Sequence, residues 1–206
     1  PMNAGEFSFL LTQDGQTIQT VTNDIGGEFG FALPFDAPGT YTYTISQVIG
    51  TVPGVTYDAA TFDITVVVTD VNGQLQTEVE ASEIQFANTY VPAPAEVTVS
   101  GSVSLTGRPM NAGEFSFVMT QNGQIVQMVT NDANGGFTFT LPFDAVGTYT
   151  YTLQQTKGTA PGVTYDTAIF DITVVVTDVN GRLQATVEAG EIQFANAYVP
   201  APAEAT

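Results

Sequence analysis

The chain has 206 residues, three Lys or Arg against 21 Asp or Glu, no His, no Cys, and a formal net charge of −18. That charge excludes the basic footprint that nucleic acid or an anionic membrane requires, and the absence of cysteine excludes disulfides and thiol chemistry. No apolar run approaches the roughly 20 residues of a membrane-spanning helix, and nucleophilic triads lack both His and Cys.

In chain order, every strong periodicity has a period of two. GEFSFLL sets Phe7 and Phe9 against Glu6 and Ser8, and GTYTYTI sets Tyr41 and Tyr43 against Thr40, Thr42 and Thr44. ATFDITVVVTD and QLQTEVE alternate in the same way. Runs of Val, Ile, Thr, Tyr and Phe with this period read as strands. The separators are turn chemistry: QDGQ at 13–16, NDIGGE at 23–28, DAPG at 36–39, VPGVTYD at 52–58 and DVNG at 70–73. Asn72-Gly73 between two alternating runs is a hairpin signal, because both residues tolerate positive φ. No segment carries a sustained helical stripe. Short strands separated by turns predict an all-β fold of tandem immunoglobulin-like β-sandwich domains.

The tandem reading comes from a repeat with a fixed offset of 108. Laying 1–98 on 109–206 gives 73 identities in 98 positions without a gap. One folded unit therefore recurs. Between the copies, VPAPAE (91–96) reads as a short, polyproline-stiffened spacer. VTVSGSVSLTGR (97–108) then opens the second copy as its first strand, and the first copy has no counterpart. The expected domains are 1–94, lacking its first strand, and 95–206, with its first strand at 97–108 and a C-terminal linker. A sandwich without an edge strand exposes an apolar groove and unpaired backbone groups. Two expectations follow: the sequence is a window on a longer array, or first strands pass between copies. The expected partners are further copies of the same repeat.

At this point the residues resemble a known family. SLTGRPMNAGEFSF, NDANGGFTFTLPFDAVGTYTYTLQQ, GVTYDTAIFDITVVV and IQFANAY, in that order, are similar to the pilin isopeptide-linkage domain of streptococcal major pilins. The resemblance covers 97–198 and, without the first strand, 1–90. It implies a sandwich used in cell-surface pili and adhesin stalks. It also implies an intramolecular bond between a first-strand Lys and the Asn of a last-strand F-x-N-x-Y motif, assisted by a Glu after the TYTYxI strand. Mapped onto this chain, the asparagines are Asn88 and Asn196. The lysine position is Val103, and the glutamate positions are Gln47 and Gln155. The bond needs a neutral amine and a titrating carboxyl, so the expectation is a degenerate site without the crosslink. The bland alternative is a buried amide satisfied by hydrogen bonds, with Gln47 and Gln155 as partners for Asn88 and Asn196. A Thr–Gln ester is a further alternative, but no spacing singles out a pair.

The remaining candidates weigh towards structure. Asp24, Asp36, Asp58, Asp63 and Asp70, with Asp132, Asp144, Asp166, Asp171 and Asp178, sit at or near turns without a D-x-D-x-D-G calcium loop, so they read as turn formers. The Thr rows read as solvent-facing strand positions, and Tyr57, Tyr90, Tyr165 and Tyr198 as hydroxyl ties at sheet ends. No cofactor, metal or catalytic residue is expected. The functional expectation is a structural repeat of a bacterial extracellular fibre, pilus or adhesin stalk. The alternative is an adhesin module that recognises a glycan or host protein through its end loops.

Overall fold

A computed structural model describes residues 2–203 as strands, turns and loops, with no helix among them. The chain divides into two compact units, Pro1–Val91 and Pro92–Thr206. The first carries β1 (Ser8–Gln13), β2 (Gln16–Thr22), β3 (Gly39–Gln47), β4 (Val55–Thr56), β5 (Thr61–Val71), β6 (Gln74–Ala81) and β7 (Thr89–Tyr90). The second carries β8 (Ala95–Thr106), β9 (Ser116–Gln121), β10 (Gln124–Thr130), β11 (Gly136–Phe143), β12 (Gly147–Gln155), β13 (Val163–Thr164), β14 (Ile169–Val179), β15 (Arg182–Glu188) and β16 (Gln193–Tyr198).

In the second unit, a five-stranded sheet ordered β10-β9-β12-β14-β15 faces a four-stranded sheet ordered β11-β8-β16-β13. β8 is antiparallel to β11 and parallel to β16, so the first and last strands of the unit lie side by side. Period-two sequences place one face of each strand in the core. In β11, for example, Phe137, Phe139, Leu141 and Phe143 are buried while Thr138, Thr140 and Pro142 are exposed. Three hairpins turn on Asn-Gly or Asp-Gly pairs with both residues at positive φ: Asp14-Gly15, Asn72-Gly73 and Asn122-Gly123. Asn180-Gly181 makes a fourth. Their twist matches that of the flanking strands.

Ahead of β8, Ala93 reaches the other sheet. Its N–H donates to the Gly181 carbonyl and its carbonyl accepts from the Leu183 N–H, both at 2.8 Å. Gly101 lets β8 cross close over the core, because any Cβ there would overlap the Phe137 ring and Ile192.

The first unit has the five-stranded sheet, ordered β2-β1-β3-β5-β6. Its remaining strands among the described residues form the two-stranded β4-β7 pair. Residues 29–35, whose pattern FGFALPF matches that of β11, are not a strand. The physical reason is strand pairing: β11 is a strand because β8 pairs with it over eight residues, whereas among the described residues no strand pairs with 29–35. Gly30 and Ala32, in place of Thr138 and Thr140, weaken the strand preference further. In the second unit Phe115, Phe117, Phe137, Phe139, Tyr151, Ile172, Val174 and Phe194 are buried, and Tyr149 is half-buried. Their counterparts Phe29, Phe31 and Phe86 in the first unit are only half-buried, for want of the covering strand. Among the described residues no helix is long and apolar enough to cross a membrane.

Candidate functional site: a buried amide pair and an open groove

β12 ends on Gln155, and β16 carries Asn196 in its middle. The two strands belong to facing sheets, and the two amides meet in the core. Gln155 Nε2 donates to Asn196 Oδ1 at 2.9 Å, and Asn196 Nδ2 donates to Gln155 Oε1 at 3.1 Å. Asn196 Oδ1 also accepts the Asp166 N–H at 2.8 Å. Both side chains are buried. A reciprocal amide pair satisfies buried donors and acceptors without any charge to desolvate. Val103 is buried on β8, opposite Phe194 in the parallel register and two residues before the partner of Asn196. Val103 is thus a buried core residue with an aliphatic side chain. Lys157 lies exposed on the loop after β12.

The same residues in the first unit are arranged differently. Gln47 ends β3 and is buried, yet neither its Nε2 nor its Oε1 has a partner. Asn88 is half-buried, and its Oδ1 accepts the Asp58 N–H at 2.9 Å. The pair found between Gln155 and Asn196 is therefore open between Gln47 and Asn88. An unpartnered buried amide costs about 1–3 kcal/mol.

Asp58 and Asp166 do more than form turns. Asp58 accepts the Ala60 N–H at 2.9 Å and the Ala87 N–H at 2.8 Å, so its carboxylate clips the segment that carries Asn88. Asp166 repeats this with Ala168 and Ala195, at 2.9 and 2.7 Å. The N–H donors, Ala87 before Ala60, hold the Asp58 carboxyl below its ordinary range. The spacing of 30 between each Asp and its Asn, the same in both copies, was the available signal. Asn23 and Asn131 were missed as buried residues. Each accepts a Phe N–H (Phe7 or Phe115) through Oδ1 and donates through Nδ2 to two carbonyls, closing the loop before β1 or β9. Glu114 pairs with Arg108, which also lies over the Tyr198 ring at 4.9 Å. The Arg108 hydrogen bond is the main cause holding the Glu114 carboxyl below its ordinary range.

The first unit also carries an open groove, which neither Gln47 nor Asn88 lines. The groove, of about 630 Å³, runs along Phe29, Phe31, Leu33, Phe35, Val79 and Ile84. In the second unit the equivalent aromatic and aliphatic residues pack against Val99 and Val103. The five-stranded sheet is the same in both, and so is the aromatic platform. Phe9 stacks on Phe29 and Phe117 on Phe137, each at 3.8 Å. Among the described residues no group of three or more His, Cys, Asp or Glu is arranged to hold a metal ion.

The fold defines tandem immunoglobulin-like sandwiches, the second with an Asn of its last strand bonded to the Gln that ends a central strand. The family described as FctA, a Spy0128-like isopeptide containing domain, matches residues 1–91 and 99–199, and the chain belongs to that family. Among solved structures it is similar to the T-13 major pilin of Streptococcus pyogenes, with 18% identity, 94% of this chain and 89% of that one covered, and a TM-score of 0.33. Another Streptococcus pyogenes major pilin gives 18% identity, coverages of 93% and 90%, and a TM-score of 0.35. The C-terminal fragment of the pilus adhesin SpaC from Lactobacillus rhamnosus GG gives 16%, coverages of 96% and 91%, and 0.31. No curated protein matches the sequence.

Proposed function

We propose that the chain is a pair of structural repeats from a bacterial extracellular fibre, pilus or adhesin stalk, without enzymatic activity and without the internal covalent crosslink of its family. The observation that carries this reading is the second unit's core. A domain of the crosslinking family holds a closed Gln155–Asn196 amide pair there, and the first-strand position that the resemblance gives to lysine is Val103, buried on β8. Neither amide titrates in the range where the bond-forming carboxyl must act. The same core residues recur in both copies, as suits a spacer built by repetition. The partners are further copies of the repeat.

Intact mass tests the covalent part. The chain should weigh what its sequence dictates, and a deficit of one ammonia per domain would overturn it. Electron microscopy of native material tests the assembly. Filaments are expected, and monodisperse particles with saturable glycan binding through the end loops would favour an adhesin module instead.

A further inference from the structure

We propose that Asn122 is a self-modifying site. In the folded chain the backbone nitrogen of Gly123 attacks its side-chain amide and converts it to aspartyl and isoaspartyl residues, while the other Asn-Gly turns stay intact.

The step needs only the chain and water. The Gly123 nitrogen bonds to Asn122 Cγ as its proton passes to the departing amide. The Cγ–Nδ2 bond breaks, ammonia leaves, and a five-membered succinimide joins the two residues. Water then opens the ring. Addition at Cγ leaves an aspartate, and addition at the Asn122 main-chain carbonyl leaves an isoaspartate whose backbone runs through the side-chain carbon. One water is consumed and one ammonia released.

The attack requires a following residue without a Cβ, an N–H that no acceptor holds, and a side-chain amide free to turn. Four Asn-Gly pairs occur: Asn72-Gly73, Asn122-Gly123, Asn134-Gly135 and Asn180-Gly181. Every other asparagine precedes a residue whose Cβ crowds the approach. In three of the four pairs the glycine N–H is held. Gly73 donates to Asp70 Oδ1 at 2.7 Å and Gly181 to Asp178 Oδ1 at 3.0 Å. A carboxylate in that place also opposes ionisation of the nitrogen, because it binds the N–H form and repels the anion. Gly135 donates to the Asp132 carbonyl at 3.1 Å, and it lies so close to the Val103 carbonyl that a Cβ would overlap it.

Gly123 meets all three requirements. Among the described residues its N–H has no acceptor and the Asn122 amide has no partner. Nothing lies within 4 Å of where a Gly123 Cβ would stand. Both residues are exposed at the tip of the β9–β10 hairpin. The sequence shows why the turn is unguarded: Thr120 stands two residues before Asn122, where Asp70 and Asp178 stand before Asn72 and Asn180. At φ 51° Asn122 has to leave its turn conformation before Cγ reaches the nitrogen. Only the pairs Gln124–Gln121 and Ile125–Thr120 lie between the tip and a register shift, so that opening is local. The ladders behind Asn72 and Asn180 run without a shift.

The first unit shows that the aspartyl product fits. Asp14 occupies the matching turn, with φ 49°. The aspartyl branch therefore adds one negative charge and keeps the hairpin. The isoaspartyl branch puts an extra main-chain carbon into a two-residue turn and displaces the pairing of Gln124 with Gln121.

The test is incubation of the whole folded chain at neutral pH, followed by intact mass and chymotryptic mapping. The peptide carrying Asn122 should gain the mass difference between a carboxyl and a carboxamide, and enzymatic methylation should detect isoaspartate in it. This gain is distinct from the family's crosslink, which removes an ammonia without a later gain. Conversion at Asn122 should run roughly tenfold faster than at Asn180 in the same unit, the worth of one held N–H. Asp70→Ala should free the Gly73 N–H and speed conversion at Asn72 by a similar factor, with Asn180 unchanged. A free peptide of residues 119–126 sets the clock. No conversion at Asn122 once that peptide is fully converted overturns the proposal. So does conversion at Asn180 as fast as at Asn122, or the same mass gain in an Asn122→Asp chain. An unchanged rate at Asn72 in Asp70→Ala overturns the protection assigned to the held N–H.

Discussion

At the residue scale, one glutamine has opposite worth in the two copies. Gln155 is a satisfied member of a buried pair, and Gln47 is an orphan of the same burial. Gln155→Leu should destabilise the second unit by about 1–3 kcal/mol, because it strands Asn196 Nδ2 in the core. Gln47→Leu should instead leave the first unit as stable or raise it by about 1 kcal/mol, since an apolar group of similar size removes an unmet demand. Hydrogen exchange resolved by unit reads both, and equal losses in the two units would contradict this account. The acid side of stability has named contributors as well. Glu114 and Asp58 are held below their ordinary ranges, by Arg108 and by backbone N–H groups respectively. Depressed carboxyls stabilise the fold above their unfolded pKa and lose that contribution as pH falls through the folded value. Denaturant midpoints measured from neutral pH down to about pH 3 should fall below about pH 4. Glu114→Gln should flatten part of that fall in the second unit.

At the element scale, alternation and turn chemistry made the strands legible. GTYTYTI, ATFDITVVVTD and the Asn-Gly hairpins fold as their patterns dictate. The strand at 97–108 was legible by its offset from the first copy, and it begins at Ala95 in the structure. The fate of 29–35 was not legible. Its apolar residues are those of β11, and the pairing partner, together with Gly30 and Ala32 in place of Thr138 and Thr140, decides its state. Likewise the positions of Asn88 and Gln47 could be read from the family motif, but not that one copy closes the amide pair and the other leaves it open. That difference belongs to long-range pairing, which no local pattern encodes. Gly101 is the sharpest element-scale determinant. Gly101→Ala should cost the second unit about 1–3 kcal/mol by overpacking β8 against Phe137 and Ile192. A melting curve unshifted by this change would show that β8 has room to move.

At the scale of the whole molecule, the two units are unequal despite their shared sequence. Among the described residues the second unit's core cluster has seventeen buried residues and the first unit's six. Burial of apolar surface is the main favourable contribution to folding, so denaturant should unfold the chain in two steps, the first unit before the second. The chain has no Trp, so exchange protection of each unit's amides is the suitable probe. A single transition shared by all amides would contradict the prediction. The side-by-side, same-direction arrangement of β8 and β16 has a further consequence. Polypeptide enters the second unit at the start of β8 and leaves at the end of β16, which are opposite ends of neighbouring strands. Tension along the chain therefore tries to slide the two strands past each other. The five registered positions from Gln193–Ser102 to Ala197–Thr106 share the load together and are not peeled one at a time.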